Sequence, residues 1–405
     1  MLEPSDSPWP SAIRTGLAAL LVFVGFGVLL PLFPVWAKVF ATSNTDVGLV
    51  TTAAAGVGLI LGRPIAARLS EGRARRPTMV LGISLAALAS MGFVFLDSFA
   101  GVMVMRTMQG LGFGVMTTAS VSLITDLAPP GQRGQVLGYY GAANALSLLV
   151  GPLLGASIAR VWGYDVAFWV AGGITALGML CLIGVQEPAK ARLPAGQYRL
   201  RDAWAVPALR TLVPGHFLAI LLHGAVLAFL PLRMEHHGGW MSAELFFAID
   251  AVALIGLRVG VGRRFDVIAR LTFVRVGLGC LAVAGLLLGL GSGDVAWALA
   301  AVMYGLGFGA YMPAASALVG DVMPATHRAR GFAVFLLGFD LALAMGGVVV
   351  GPIADFGGTG LALAVAAAGP LLAIGVYTRL NGRMLPGDEH AQVDVGVGAD
   401  RRAEL

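Results

Sequence analysis

Charge is scarce in this 405-residue chain. Asp, Glu, Lys and Arg make up 12% of it, about half the roughly 25% typical of soluble domains. With 58% hydrophobic residues and a mean hydropathy of +0.84, it cannot cover a water-facing surface, which excludes a soluble globular protein. Cysteine is nearly absent: Cys181 and Cys280 stand singly in apolar runs, so neither a disulfide framework nor a cysteine metal site is expected. No paired nucleophile and base and no cluster of metal ligands appears, so the chain is read as no enzyme and as needing no metal or cofactor. Short alternating strands, the mark of a membrane β-barrel, are missing as well.

What the chain does have is apolar runs of about 20 residues, each long enough to cross a hydrocarbon core of roughly 30 Å. Twelve are read between Ile13 and Thr378. The predicted fold is therefore all-α and integral to the membrane, with twelve helices in two six-helix bundles. The expected organisation is a tail at 1–12, a first bundle at 13–185, a linker at 186–211, a second bundle at 212–379 and a disordered tail at 380–405. The first apolar run reaches full spanning length and Met1 to Ser11 lacks a basic leader, so a retained first helix is expected rather than a cleaved signal. Of the 27 Lys and Arg residues, 23 fall on the side of the linker and tails and three, Lys38, Arg160 and Arg233, on the other. The positive-inside rule then puts both termini in the cytoplasm of a multi-pass plasma (inner) membrane protein. The net charge of +5 calls for anionic lipid rather than nucleic acid.

The chain also repeats itself. Met108 to Arg133 and Met303 to Arg328 share 11 of 26 residues at an offset of 195, including Gly110/Gly305, Gly112/Gly307, Gly114/Gly309, Asp126/Asp321 and Arg133/Arg328. The same offset lays Arg63, Arg68, Glu71 and Arg75 on Arg258, Arg263, Asp266 and Arg270. Duplication within so apolar a sequence is the pattern of a transporter built from two halves around a central site.

Several side chains conflict with their surroundings. Arg106 stands in an apolar span, where a guanidinium costs at least about 2.5 kcal/mol. It either clamps helices through carbonyls and Gln109 or takes part in proton coupling. Asp250 and Asp340 are the carboxylates expected well inside spans, each a proton carrier or a helix-to-helix hydrogen bond. His216 and His223, seven apart on the seventh span, share a face. The arginine-rich stretch after the second span, with Glu71, Arg75 and Arg76, and its repeat with Asp266 and Arg270, has the acid-and-arginine pattern of a latch between helix ends, or of a loop that only sets orientation.

These residues resemble the major facilitator superfamily along the whole apolar region. The loop motif G-x-x-x-D-R/K-x-G-R-R falls on Ala67, Glu71, Gly72, Ala74, Arg75 and Arg76, where only the two arginines match. The second copy keeps Gly262, Asp266 and Arg270. The motif R-x-x-Q-G fits at Arg106, Gln109 and Gly110. The antiporter motif falls on Gly138, Ser147, Gly151, Pro152, Gly155 and Ala156, and Gly151 and Pro152 suit a gating element. Pro31 and Pro34 are similar to those of twelve-helix drug and metabolite proton antiporters. The resemblance implies a cavity lined by helices 1, 4, 7 and 10, with Phe26, Gln109, Phe113, His223, Tyr304 and Phe308 meeting a small-molecule substrate, together with Phe23, Met116 and Tyr311. It implies proton transfer through Arg106, beside the carboxylates Asp340 and Asp250 already singled out as proton carriers, and a monomer in the lipid bilayer is expected. The expected function is proton-coupled export of a small amphipathic drug or metabolite. An uptake symporter for a sugar or organic acid and a non-transporting membrane sensor are the alternatives.

Overall fold

The computed structural model describes residues 9–72, 75–129, 132–187, 206–261, 270–323 and 328–379. Every regular element among them is helical. Lipid leaves no water to satisfy free backbone groups, and a helix satisfies its own.

The first half comprises α1 (Trp9–Leu29), continued past a turn by Leu32–Ala37. It is followed by α2, which starts at Asn44–Gly48, passes through a π-helical turn at Leu49–Ala53 and runs on through Ala54–Gly72. Then come α3 (Arg75–Gly92) and α4 (Phe99–Leu127). A 49-residue helix, Arg133–Cys181, is interrupted at Gly163 (φ 85°, ψ 174°); we label its two parts α5 and α6. The second half repeats the series as α7 (Leu209–Met234), α8 (Ala243–Val261), α9 (Arg270–Leu290) and α10 (Asp294–Val322). Arg328–Ala366 is interrupted at Gly358 (φ 81°, ψ 166°) and gives α11 and the start of α12, which ends with Ala368–Tyr377.

Nine helices among the described residues are long and apolar enough to cross a membrane. Two of the nine span 47 residues each, about 70 Å if straight and more than twice the hydrocarbon thickness. The positive φ at Gly163 and at Gly358 is a conformation that side-chain-bearing residues avoid, so glycine marks where each long helix divides. Counting those two as pairs and adding α8, which carries Glu244, Asp250 and Arg258, gives twelve crossing segments. The two breaks are 195 residues apart, the spacing of the sequence repeat.

Duplication extends to the packing. Gly112 of α4 lies against the backbone of Gly82 in α3, and Gly307 of α10 lies in the same way against Gly277 in α9. Gly151 of α5 meets Gly27 of α1, and Gly346 of α11 meets Gly224 of α7. In lipid there is little hydrophobic drive between helices, so close backbone approach over small residues supplies the van der Waals contact that holds them. Large apolar side chains point outward, among them Leu88 (67% exposed) and Val104 (60%), as expected when the surrounding solvent is acyl chain.

A Cβ on Gly151 would stand 2.7 Å from the Cα of Gly27, whereas one on Gly279 would meet nothing within 4 Å. Gly151→Ala should therefore lose about 1–3 kcal/mol to overpacking, and Gly279→Ala should be neutral or gain up to about 1 kcal/mol in helix propensity. Thermal unfolding in detergent reads both. Equal midpoints for the two variants would remove close glycine packing as the source of cohesion.

Candidate functional site

A cavity of about 280 Å³ lies between the halves. The α1 side chains Phe23 and Phe26 and the α4 side chain Phe113 form one wall; His223 of α7, Tyr304 and Phe308 of α10 and Phe339 of α11 form the facing one. Ring centroids are 4.6 Å apart for Phe26 and Phe113 and 4.8 Å for His223 and Phe308. His223 Nδ1 and the Tyr304 hydroxyl share a hydrogen bond. Asp250, Leu254 and Arg258 of α8 complete the lining. Asp250 is 4% exposed, and its Oδ1 has no hydrogen-bond partner.

Five of the six expected contact residues, Phe26, Phe113, His223, Tyr304 and Phe308, thus line this space. Gln109 does not. Its Oε1 accepts from Arg106 at 2.5 Å and its Nε2 donates to Ser90 at 2.8 Å, so its amide is spent holding α4 to α3. Met116 and Tyr311 are likewise buried in helix contacts rather than in the cavity wall. Tyr311 bonds His216 at 2.6 Å and Tyr377 at 3.1 Å, and His216 lies flat on Phe335 with centroids 3.7 Å apart. The shared face of the two histidines therefore splits between a packed core and the cavity.

Arg106 is 4% exposed and has no carboxylate partner among the described residues. It donates to Thr51 O from Nε at 3.3 Å and from Nη2 at 3.2 Å, and its guanidinium lies 4.2 Å from the ring centroid of Phe33 and 5.3 Å from that of Phe26. Thr51 sits in the π-helical turn of α2, a widened turn that recurs at functional positions in helices. Cation–π and carbonyl contacts together keep this charge inside the span without an acid.

Asp340 has a partner that sequence reading did not foresee. Arg63 of α2 forms a two-pronged ion pair with it across the two halves, by Nε and, at 2.8 Å, by Nη2. Asp340 is 1% exposed and does not line the cavity.

The latch residues sort differently from the expectation. Arg75 pairs with Asp126 of α4 and bonds Ser122 at 2.7 Å. Arg270 pairs with Asp321 of α10 and bonds the carbonyl of Ala317 at 3.3 Å. The positions of the arginine and of both its partners recur at the offset of 195, and each pairing stays within its own half. The repeated Asp126/Asp321 was visible in the sequence, though not its role. Glu187 accepts from the backbone nitrogens of Arg75 and Arg76 at 2.8 and 2.7 Å, capping α3. The side chain of Glu71 and all of Asp266 lie outside the described residues.

The two ends of the cavity differ. Toward the end bearing the linker, a mouth of about 780 Å³ between α5, α8 and α10 shares Gly141, Ala145, Arg258 and Met312 with the cavity wall. At the opposite end the halves meet closely. Gly48 abuts Gly347, Gly56 abuts Ala344 and Gly351 abuts Thr45. Asp355 of α11 accepts from the backbone nitrogens of Asn44 and Thr45 at 2.6 and 3.2 Å, capping the start of α2 from the other half. Lys38 and Glu235 pair at 2.8 Å, and Arg160 pairs with Glu244. A depression of about 700 Å³ outside this seal shares no wall residue with the cavity.

The family model described as Major Facilitator Superfamily matches residues 15–347. The chain belongs to that superfamily. It is 25% identical over 202 residues to the Quinolone resistance protein NorA of Staphylococcus aureus strain MRSA252, covering 48% of this chain and 52% of that protein. It is 30% identical over 132 residues to Multidrug resistance protein 3 of Bacillus subtilis, covering 33% and 26%. The match thus spans about half or less of the length of these relatives. Among solved structures, the human organic anion transporter MFSD10 (TETRAN) superposes with a TM-score of 0.71 at 20% identity over 93% of this chain and 100% of that one. A bacterial homologue of the human lysosomal transporter Spinster, in an inward-facing and occupied conformation, also gives 0.71, at 18% identity over 93% and 98%. At these identities the likeness is one of fold. The protein is a multi-pass membrane protein of this superfamily.

Arg63 and Asp340 should be energetically coupled. Each of Arg63→Gln and Asp340→Asn strands one charge of a largely buried pair, and the double substitution should cost less than the sum of the two, with a coupling of about 1–3 kcal/mol. A thermal double-mutant cycle measures it. Simple additivity would mean that the pair does not hold the halves together.

Proposed function

We propose that the protein is a secondary active transporter that exports a small amphipathic compound from the cytoplasm in exchange for protons, by alternating access. The observation that carries this reading is an aromatic cavity between duplicated halves, containing one buried carboxylate, Asp250, with an unpartnered oxygen. Aromatic walls suit a ring-bearing compound, and few polar groups fix its orientation. The names of the matched relatives, a quinolone resistance protein and a multidrug resistance protein, support export of a drug-like compound.

With the basic end cytoplasmic by the positive-inside rule, the state described here is sealed on the outer side and continuous with a mouth on the inner side of the inner membrane. Asp250 is the better proton carrier of the two buried acids. Asp340 is already paired with Arg63, whereas Asp250 keeps a buried oxygen without a hydrogen-bond partner. Proton binding at Asp250 drives export only if it favours one facing state over the other, because a ligand that binds both equally shifts nothing. Arg106 acts here as a positioning residue that ties α4 to the π-turn of α2. The pairs Arg75–Asp126 and Arg270–Asp321 stiffen each half, and Gly151 and Pro152 let α5 bend and slide against α1.

Proton movement in inverted membrane vesicles with an acid interior tests the reading. A panel of lipophilic amines, sugars, organic acids and amino-acid derivatives is added in turn. One class should collapse the gradient in vesicles with the intact protein. Folded Asp250→Asn should abolish the collapse, and Arg106→Ala should reduce it at least about tenfold if transition between states is slowed by 1.4 kcal/mol or more. Silence across the panel, or a fully active Asp250→Asn, would end the proton-exchange reading.

A further inference from the structure

Two ionisable side chains in the cavity wall, Arg258 and Asp250, depart from the internal duplication, and each keeps a buried atom without a hydrogen-bond partner. Arg63 is answered across the halves by Asp340. Its repeat counterpart is Arg258, and the position matching Asp340 is Asn144, taken with the one-residue shift that aligns Gly151 with Gly347. The acid is missing from that copy. Arg258 reaches α5 all the same: its Nη1 lies 3.6 Å from where a Cβ on Gly141 would be. Its Nε is buried without a hydrogen-bond partner, and it forms no ion pair with a described residue. Asp250 has the reverse history. Its counterpart at the offset of 195 is Ala55, so its carboxylate is an addition to the second half, and its Oδ1 is unpartnered.

The two do not pair with each other. Asp250, Leu254 and Arg258 follow one another at four-residue intervals on α8 and all line the same space, which puts the charges about 12 Å apart along the helix axis with an apolar residue between. An unsatisfied charge left in a low-dielectric wall is unfavourable unless something supplies the missing partner. A cavity with an open carboxylate toward its middle, an open guanidinium at its mouth and aromatic rings between them is complementary to one kind of molecule.

We propose that this cavity recognises a zwitterion: an ammonium group bound at Asp250, an anionic oxygen bound at Arg258, and an aromatic or other flat apolar body held between them. The inference rests on the cavity being the site of the transported compound. It adds that Arg258 is a specificity-determining residue. A compound entering from the mouth passes the guanidinium first, so its anionic end trails while its cationic end advances to the acid.

Four probes on one scaffold test it: para-piperazinylbenzoic acid, its methyl ester, its N-acetyl derivative and the doubly blocked N-acetyl ester. Binding to the purified full-length protein in lipid nanodiscs is measured for each, and counterflow in proteoliposomes is measured beside it. The zwitterion should bind about tenfold or more tightly than either singly blocked probe, the effect of losing one charge-assisted hydrogen bond. Arg258→Gln should erase the advantage of the free carboxylate while keeping that of the amine. Asp250→Asn should do the converse. Should Asp250→Asn fail to fold, the four-probe order on the unaltered protein decides the question alone. The proposal is overturned if the ester binds as tightly as the zwitterion, if none of the four binds folded protein, or if Arg258→Gln weakens acid and ester alike. If the binding order holds and no probe is carried across the bilayer, transport fails as a reading while zwitterion recognition stands.

Discussion

A charge inside the hydrocarbon layer must be answered by something, and the arrangement of this protein follows from how each one is answered. Arg106 is met by the Thr51 carbonyl, Gln109 and two aromatic faces. Asp340 is met by Arg63 from the other half. At the basic end, Arg75 and Arg270 are met by Asp126 and Asp321 within their own halves. These solutions differ in what they join: the first ties neighbouring helices, the second ties the two halves, and the third stiffens each half. Among the described residues, Asp250 and Arg258 each keep an unpartnered buried atom in the cavity wall.

Duplication supplies the frame, and departures from it set the polarity of the interior. Where the two halves agree, the shared feature concerns construction: the breaks at Gly163 and Gly358, the close contacts Gly82–Gly112 and Gly277–Gly307, and the paired arginines at the basic end. Where they disagree, the feature concerns polarity in the interior. Arg106 faces Ala301 in the repeat, Gln109 faces Tyr304, and Asp250 faces Ala55. A site built of two equivalent surfaces would bind a ligand in two equivalent orientations, and on the proposed reading the acid on one side only removes that equivalence.

The architecture was legible in the sequence because it rests on long-range regularities: runs of spanning length, an offset of 195, glycine spacing and a one-sided distribution of lysine and arginine. Cavity aromatics at Phe26, Phe113, Tyr304 and Phe308 were reachable through the family resemblance, which directs their spans inward, and Tyr304 and Phe308, four residues apart, share one helical face. Pairings were not reachable. That Arg63 would find Asp340, 277 residues away, depends on how far two side chains reach across an interface whose register no local pattern encodes. Gln109 was misread for a related reason. Its position on α4 is near the cavity, but an adjacent buried guanidinium outcompetes a ligand for its carbonyl oxygen.

The two ends of the cavity are held by forces of different strength and reach. At the closed end of the cavity the ion pairs Lys38–Glu235 and Arg160–Glu244 involve side chains 42% and 70% exposed on their basic partners, and such pairs contribute only about 0–1 kcal/mol each. The larger share falls to α2 against α11, where Gly48 and Gly351 bring backbone within contact of backbone and Asp355 caps a helix start across the interface. Contacts of that kind are short-ranged, so a small separation forfeits most of their attraction. Parting the halves at this end must therefore break them nearly together, so that separation is all-or-none rather than gradual. The ion pair of Arg63 with Asp340 also joins α2 to α11, and its Coulomb attraction falls off more slowly with distance than those contacts.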